Sequence, residues 1–259
     1  MSATTKLFFQ FFLILLIFGK KVCRKADNKK NKTMNCAEKY TEIRSQLPAH
    51  VTLLAVSKTK PADDIMALYN IGCRDFGENK VQELTQKYNE LPKDIRWHQI
   101  GHLQTNKIKY IIPFVYMIHS IDSLKLAVEV NKQAAKHNRV VDCLFELKVA
   151  NEDTKSGFDI EELKQLFSQG ALNELKNIRF CGVMGMATNT DDQAEIRKEF
   201  LNVKSVFDYI KDNYASEVGE CFTQISMGMS GDYKIAVDCG STIVRIGSTI
   251  FGERDYAVN

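Results

Sequence analysis

From residue 51 onward the chain alternates between short aliphatic, β-branched runs and longer stretches with apolar positions every three or four residues. The short runs predict strands over 51–57, 74–76, 96–100, 117–121, 142–149, 179–184, 223–226 and 242–246. The longer stretches predict helices over 63–69, 81–89, 123–136, 160–167 and 193–213, with a shorter one over 233–237. The 193–213 stretch is the clearest. Ile196, Phe200, Val203, Val206, Phe207 and Ile210 fall on one helical stripe.

Strands alternating with helical crossovers imply a parallel sheet. Eight such units in about 225 residues fit an α/β fold closed on itself, a single (β/α)8 or TIM barrel. A flavodoxin-like open sheet is the alternative, and it needs fewer strands. No fixed-period repeat or low-complexity tract interrupts residues 34–259, and four prolines leave no Pro-rich linker. That span therefore reads as one domain. In a barrel, residues just beyond each strand meet at one rim, where the active sites of this architecture form.

Hydrophobic residues make up 44% of the chain and charged ones 26%, enough for a sizeable core and against wholesale disorder. The formal charge of +3 hides an asymmetry. Residues 1–33 carry eight basic side chains and one acid, which leaves −4 on residues 34–259. A mildly acidic body gives no reason to propose nucleic-acid binding. Cysteines stand at 23, 36, 73, 143, 181, 221 and 239, an odd number without C-x-x-C spacing. They read as free thiols in a reducing compartment, and their spacing suits no zinc site.

Residues 7–19 form an apolar run broken only by Gln10. It is short for a membrane span, which needs about 20 residues, and has the length of a signal-peptide core. Its basic residues follow it instead of preceding it, and no small-residue cleavage site appears. Three readings stand: a dispensable extension ahead of a start at Met34, a membrane anchor, or a secretion signal. The first two keep the body cytoplasmic, since an anchor with this charge pattern retains it inside.

Lys58 directly follows the first predicted strand in L-L-A-V-S-K-T-K-P. Desolvation at a barrel mouth lowers an amine's pKa, which suits imine formation with an aldehyde. A solvated loop lysine is the plain alternative. Two turns rich in glycine and hydroxyl groups follow strands seven and eight: Ser226-Met227-Gly228-Met229-Ser230-Gly231-Asp232 and Arg245-Ile246-Gly247-Ser248-Thr249. Barrels bind phosphate at these strands, where glycine lets backbone N–H groups approach an anion. Each turn alone is ordinary; the pair is informative.

Arg245 lies in the last strand. Beside a pyridine nitrogen it would keep that nitrogen unprotonated by charge repulsion, making the ring a poorer electron sink; the plain reading is a salt-bridged barrel arginine. Asn79, after strand two, offers an amide to a ligand or caps a helix. His98 reads more readily as a hydrogen-bonded core histidine than as a catalytic base. Met184-Gly185-Met186-Ala187 reads as pocket wall.

Together, A-V-S-K-T-K-P, F-G-E-N-K-V-Q-E, W-H-Q-I-G-H-L-Q-T-N-K, G-V-M-G-M-A, S-M-G-M-S-G-D-Y and V-R-I-G-S-T-I-F-G-E-R resemble the pyridoxal phosphate homeostasis protein family. The resemblance covers residues 36–256, with six motifs in order. It implies a barrel like the N-terminal domain of alanine racemases and eukaryotic ornithine decarboxylases. It implies pyridoxal 5′-phosphate held as a Schiff base on Lys58. It further implies phosphate contacts from Ser226, Gly247 and Ser248, Arg245 near the pyridine nitrogen, and Asn79 lining the pocket. Ser248 stands where threonine is frequent in the family, and a hydroxyl is kept either way. Family chains usually begin near Met34.

The racemases and decarboxylases of this architecture complete their sites with a second, β-rich domain and a partner subunit. The sequence ends at Asn259, soon after strand eight. The expectation is therefore a carrier for vitamin B6 homeostasis that supplies apo-enzymes without catalytic turnover; the resemblance implies a monomer, and the free thiols a cytoplasmic one. A slow racemase using Lys58 as sole base is the first alternative. A Schiff-base aldolase on a phosphorylated sugar is the second.

Overall fold

The computed structural model describes residues 35–149 and 156–252. The apolar run over 7–19 and the proposed start at Met34 lie outside them.

The strands are β1 (Thr52–Val56), β2 (Asp75–Glu78), β3 (Arg96–Gln99), β4 (Met117–Ile121), β5 (Val141–Leu147), β6 (Ile178–Gly185), β7 (Gln224–Ser226) and β8 (Ile243–Ile246). All pair in parallel, in sequence order. The ring closes where β1 pairs with β8, from Thr52 opposite Ile243 to Ala55 opposite Ile246. The closed (β/α)8 barrel predicted from the hydrophobic pattern is thus the observed fold, and the open sheet is excluded.

The strands read as near-continuous apolar runs because both of their faces are buried. Leu54, Met117, Leu144, Cys181, Met184 and Ile243 point inward and fill part of the lumen. Their neighbours Leu53, Ala55, Phe76, Phe145 and Val244 point outward into a much larger core beneath the helices. Two register shifts, at β4–β5 and β5–β6, bend the wall. At the second, Gly182 adopts φ +152, and a Cβ there would lie 1.7 Å from the Gln224 carbonyl oxygen. No side chain fits that approach.

The helices are α1 (35–46), α2 (Ala62–Asn70), α3 (Val81–Glu90), α4 (Ile108–Ile111), α5 (Leu124–Lys136), α6 (Ile160–Ser168), α7 (Gln193–Asn213), α8 (Ala215–Val218), α9 (Tyr233–Asp238) and α10 (Ser248–Phe251). A 3-10 turn over Thr105–Lys107 precedes α4. Ser123, Asp159 and Asp192 accept backbone N–H bonds as N-caps of α5, α6 and α7. No helix among the described residues is long and apolar enough to cross a membrane.

Most predicted boundaries lie within two residues of the observed ones. The difference at β2 matters most. The strand runs to Glu78, two residues beyond the predicted end, and so carries Gly77 and Glu78 into the wall beneath the site.

Candidate functional site

At the C-terminal ends of the strands the barrel mouth holds a cavity of about 250 Å³. Val56, Ile100 and Met186 give it an apolar wall. Lys58, Lys60, Asn79, Ser230, Arg245 and Ser248 bring polar groups to it, and Gly231, Gly247 and Gly252 leave its backbone bare. A mostly apolar concavity with a few convergent polar groups is the usual form of a small-molecule site.

Lys58 is aimed by its neighbours on both sides. Ser57 donates its hydroxyl to Glu78 Oε1, and Lys87 Nζ donates to the Ser57 carbonyl at 2.8 Å. The same ammonium bonds Glu78 Oε1 at 2.8 Å and Glu83 Oε1 at 2.7 Å. Glu83 in turn accepts from the Thr59 amide at 2.6 Å. Thr59 sits at φ +64, a left-handed conformation unfavourable for a β-branched residue. Such strain costs roughly 1–3 kcal/mol and persists where surrounding bonds over-determine it. Burial pushes the Glu78 carboxyl up to about 7, against the pull of Lys87.

Arg245 rises inside the wall from β8 and is fully buried. One terminal nitrogen donates to the Ser226 carbonyl at 2.6 Å and to Ser226 Oγ at 2.7 Å; the other donates to the Gly185 carbonyl at 3.0 Å. Burial lowers its pKa to about 10, which leaves it cationic at neutral pH.

The two turns form the opposite side. Gly247 passes so close to β1 that a Cβ would come within 3.1 Å of the Val56 carbonyl oxygen. Gly228 adopts φ +93, and a Cβ there would sit 2.5 Å from that of Ala236. Both glycines let the backbone turn tightly beneath the hydroxyls of Ser230 and Ser248. Gly101 acts similarly at Asn79, where a Cβ would lie 2.8 Å from the Asn79 carbonyl oxygen. The N-cap of α3 is Lys80, so Asn79 lines the mouth without capping.

Of the six residues expected at the site, Lys58, Asn79, Arg245, Gly247 and Ser248 line one cavity. Ser226 is not among the residues lining it. It ends β7 with its side chain turned into the lumen, wholly buried, its hydroxyl engaged by Arg245 and His119. The serine that reaches the cavity from that turn is Ser230. Sequence reasoning also passed over Lys60, whose ammonium donates to the carbonyls of Phe251 and Gly252 at 3.3 and 3.1 Å. The Ser-Gly pair at 230–231, matching Gly247-Ser248, was the available signal for Ser230. Lys60 carried none beyond its nearness to Lys58.

The family model for the alanine racemase N-terminal domain matches residues 33–255. A pyridoxal phosphate homeostasis protein of Aquifex aeolicus is 42% identical over 205 residues, 79% of this chain and 87% of that one. Its Escherichia coli counterpart is 35% identical over 214 residues, 81% of this chain and 88% of that one. The structure of PipY from Synechococcus elongatus with PLP bound superposes with TM-score 0.77 at 34% identity, covering 84% of this chain and all of that one. An alanine racemase of Clostridium difficile, at 16% identity and TM-score 0.70, shares the fold. Fold and site thus define a barrel of the alanine racemase N-terminal class. Within that class, the chain belongs to the pyridoxal phosphate homeostasis protein family.

Proposed function

We propose that this chain binds pyridoxal 5′-phosphate in the mouth cavity as a Schiff base on Lys58 and serves its intracellular supply without catalytic turnover. The carrying observation is that Lys58, Arg245 and the Ser230 and Gly247-Ser248 turns converge on one small cavity. The donor set suits the ligand's chemistry. The amine of Lys58 meets an aldehyde, losing water as the imine forms. Hydroxyls and bare backbone at the two turns suit a phosphate. Val56, Ile100 and Met186 suit an aromatic ring, and Arg245 suits an unprotonated ring nitrogen.

When bound, the cofactor supplies an electrophilic carbonyl and an electron-accepting ring. A permanent cation at Arg245 opposes protonation of that ring, which weakens it as a sink for a carbanion. That suits a carrier, or at most a slow enzyme. Cytoplasmic placement, a monomeric state and delivery to apo-enzymes complete the reading.

Protein incubated with pyridoxal phosphate should turn yellow. Borohydride reduction should leave a pyridoxyl adduct on Lys58 by mass spectrometry, and Lys58→Ala should carry none. An adduct on Lys60 or Lys80 instead would overturn the site. Stereoinversion of an L-amino acid at ordinary enzyme rates, about 1–10³ per second, would replace the carrier with an enzyme.

A further inference from the structure

A buried line of polar groups crosses the lumen below the cavity, and beyond Arg245 nothing in the proposed function uses it. It starts at Arg245 and passes to Ser226 Oγ at 2.7 Å. Ser226 Oγ lies 2.9 Å from His119 Nδ1. His119 Nε2 lies 2.9 Å from His98 Nδ1, and His98 Nε2 lies 3.2 Å from Asp75 Oδ1. Asp75 closes the line with a two-pronged pair to Arg96, both bonds at 2.6 Å. Ser226, His119 and His98 are buried, and the line draws on β8, β7, β4, β3 and β2.

With both imidazoles neutral, the two ends fix the direction of every bond. A guanidinium only donates, and an ionised carboxylate only accepts. Burial works to raise the Asp75 carboxyl, but hydrogen bonds from Arg96 and His98 outweigh it and hold the group well below the usual range. Ser226 Oγ therefore accepts from Arg245 and gives its own proton to His119 Nδ1. His119 then donates from Nε2 to His98 Nδ1, and His98 donates from Nε2 to Asp75. Every hydrogen along the line then meets an acceptor. Burial above all holds the His119 pKa well below the ordinary value, in keeping with a neutral ring there. With a neutral His98, the reversed direction would place two donors on Ser226 Oγ and a ring lone pair against the Asp75 carboxylate.

We propose that this one-way array makes Ser226, His119 and His98 positioning residues for Arg245, orienting its guanidinium toward the ring nitrogen of the bound cofactor. The inference rests on the proposed binding of pyridoxal phosphate. Hydrogen bonds aligned head to tail polarise one another, so the Asp75 charge strengthens Ser226 Oγ as an acceptor. Arg245 is then held in one rotamer by a hydroxyl, two carbonyls and the line behind them.

Two measurements test it. Nitrogen NMR of histidine-labelled, ligand-free wild type should show His119 and His98 as neutral Nε2–H tautomers. An Nδ1–H tautomer or a doubly protonated ring at His119 would overturn the array, and this result needs no variant to fold and no cofactor to bind. Pyridoxal phosphate titrations of wild type, Ser226→Ala, Ser226→Thr and His119→Leu form the second. The alanine and leucine variants should bind roughly tenfold or more weakly, the scale of lost bonds to a charged group. Their bound cofactor should absorb at a shifted wavelength, and Ser226→Thr, which keeps the hydroxyl, should restore the wild-type band. Wild-type affinity and an unchanged band in Ser226→Ala would refute the positioning role. A wild type that takes up no pyridoxal phosphate would instead sink the proposed function.

Discussion

Single methyl groups decide whether the cavity can form. At Gly228 the backbone is left-handed and Ala236 leaves no room for a Cβ. The Gly228 carbonyl also accepts from the Arg245 amide at 2.9 Å. Gly228→Ala should therefore lose about 1–3 kcal/mol in urea denaturation and bind pyridoxal phosphate more weakly. Gly231→Ala is the control: a Cβ there meets nothing within 4 Å, and its φ lies outside the left-handed range, so its stability should match wild type. At this scale Lys58, Asn79, Arg245, Gly247 and Ser248 were legible, because a reactive or anion-binding group just past a barrel strand has few other places to point. Ser226 and Ser230 were not separable in the same way. Both belong to one serine-glycine turn, and a single residue at the end of three-residue β7 decides which of them faces the lumen and which the mouth.

Elements were legible where a face is buried. The long α7 stripe and the doubly buried strands carry strong periodicity, whereas α4, α8 and α10, at four residues each, are too short to show one. The end of β2 was obscured because Gly77 and Glu78 do not resemble strand residues. Glu78 is there to meet Lys87 from α3. Replacing that ammonium by Lys87→Met should cost about 3–5 kcal/mol in chemical denaturation, since it leaves a buried carboxylate without its cationic partner.

β5 carries a second displaced carboxyl. Burial pushes Glu146 up to about 7, and only Ser156 bonds it, at 3.2 Å, among the described residues. A carboxyl raised in the fold contributes stability below its unfolded pKa of 4.5, lost as pH rises toward about 7. His119, held neutral, contributes stability above 6.5 that is lost as pH falls below it. The two slopes oppose each other between 4.5 and 6.5. Glu146→Gln removes one of them, so its stability should drop more steeply than wild type on acidification, by up to about 1.4 kcal/mol per pH unit. Denaturant midpoints at several pH values read this directly; parallel curves for the two proteins would reject the assignment.

Over the whole barrel, pairing is uneven. β5 and β6 pair from Val141–Ile178 to Leu147–Gly185, whereas the β7–β8 register holds only Ser226 opposite Ile243. Amides of β7 and β8 should exchange with deuterium sooner than those of β5 and β6. The proposed ligand would bridge this seam, since Lys58 follows β1 while Ser230 and Ser248 follow β7 and β8. Added pyridoxal phosphate at a hundredfold excess over its Kd should stabilise the fold by about 2.7 kcal/mol, with the gain in protection concentrated at β7, β8 and β1. Lys60 reaches across the same closure to the carbonyls of Phe251 and Gly252. Most of the cavity's polar groups thus come from opposite ends of the barrel's sequence. On the ribosome, a nascent chain completes the first six strands with no pocket to show for it, and gains one only when the final βα unit emerges. Cofactor can select the finished barrel but cannot guide its early assembly.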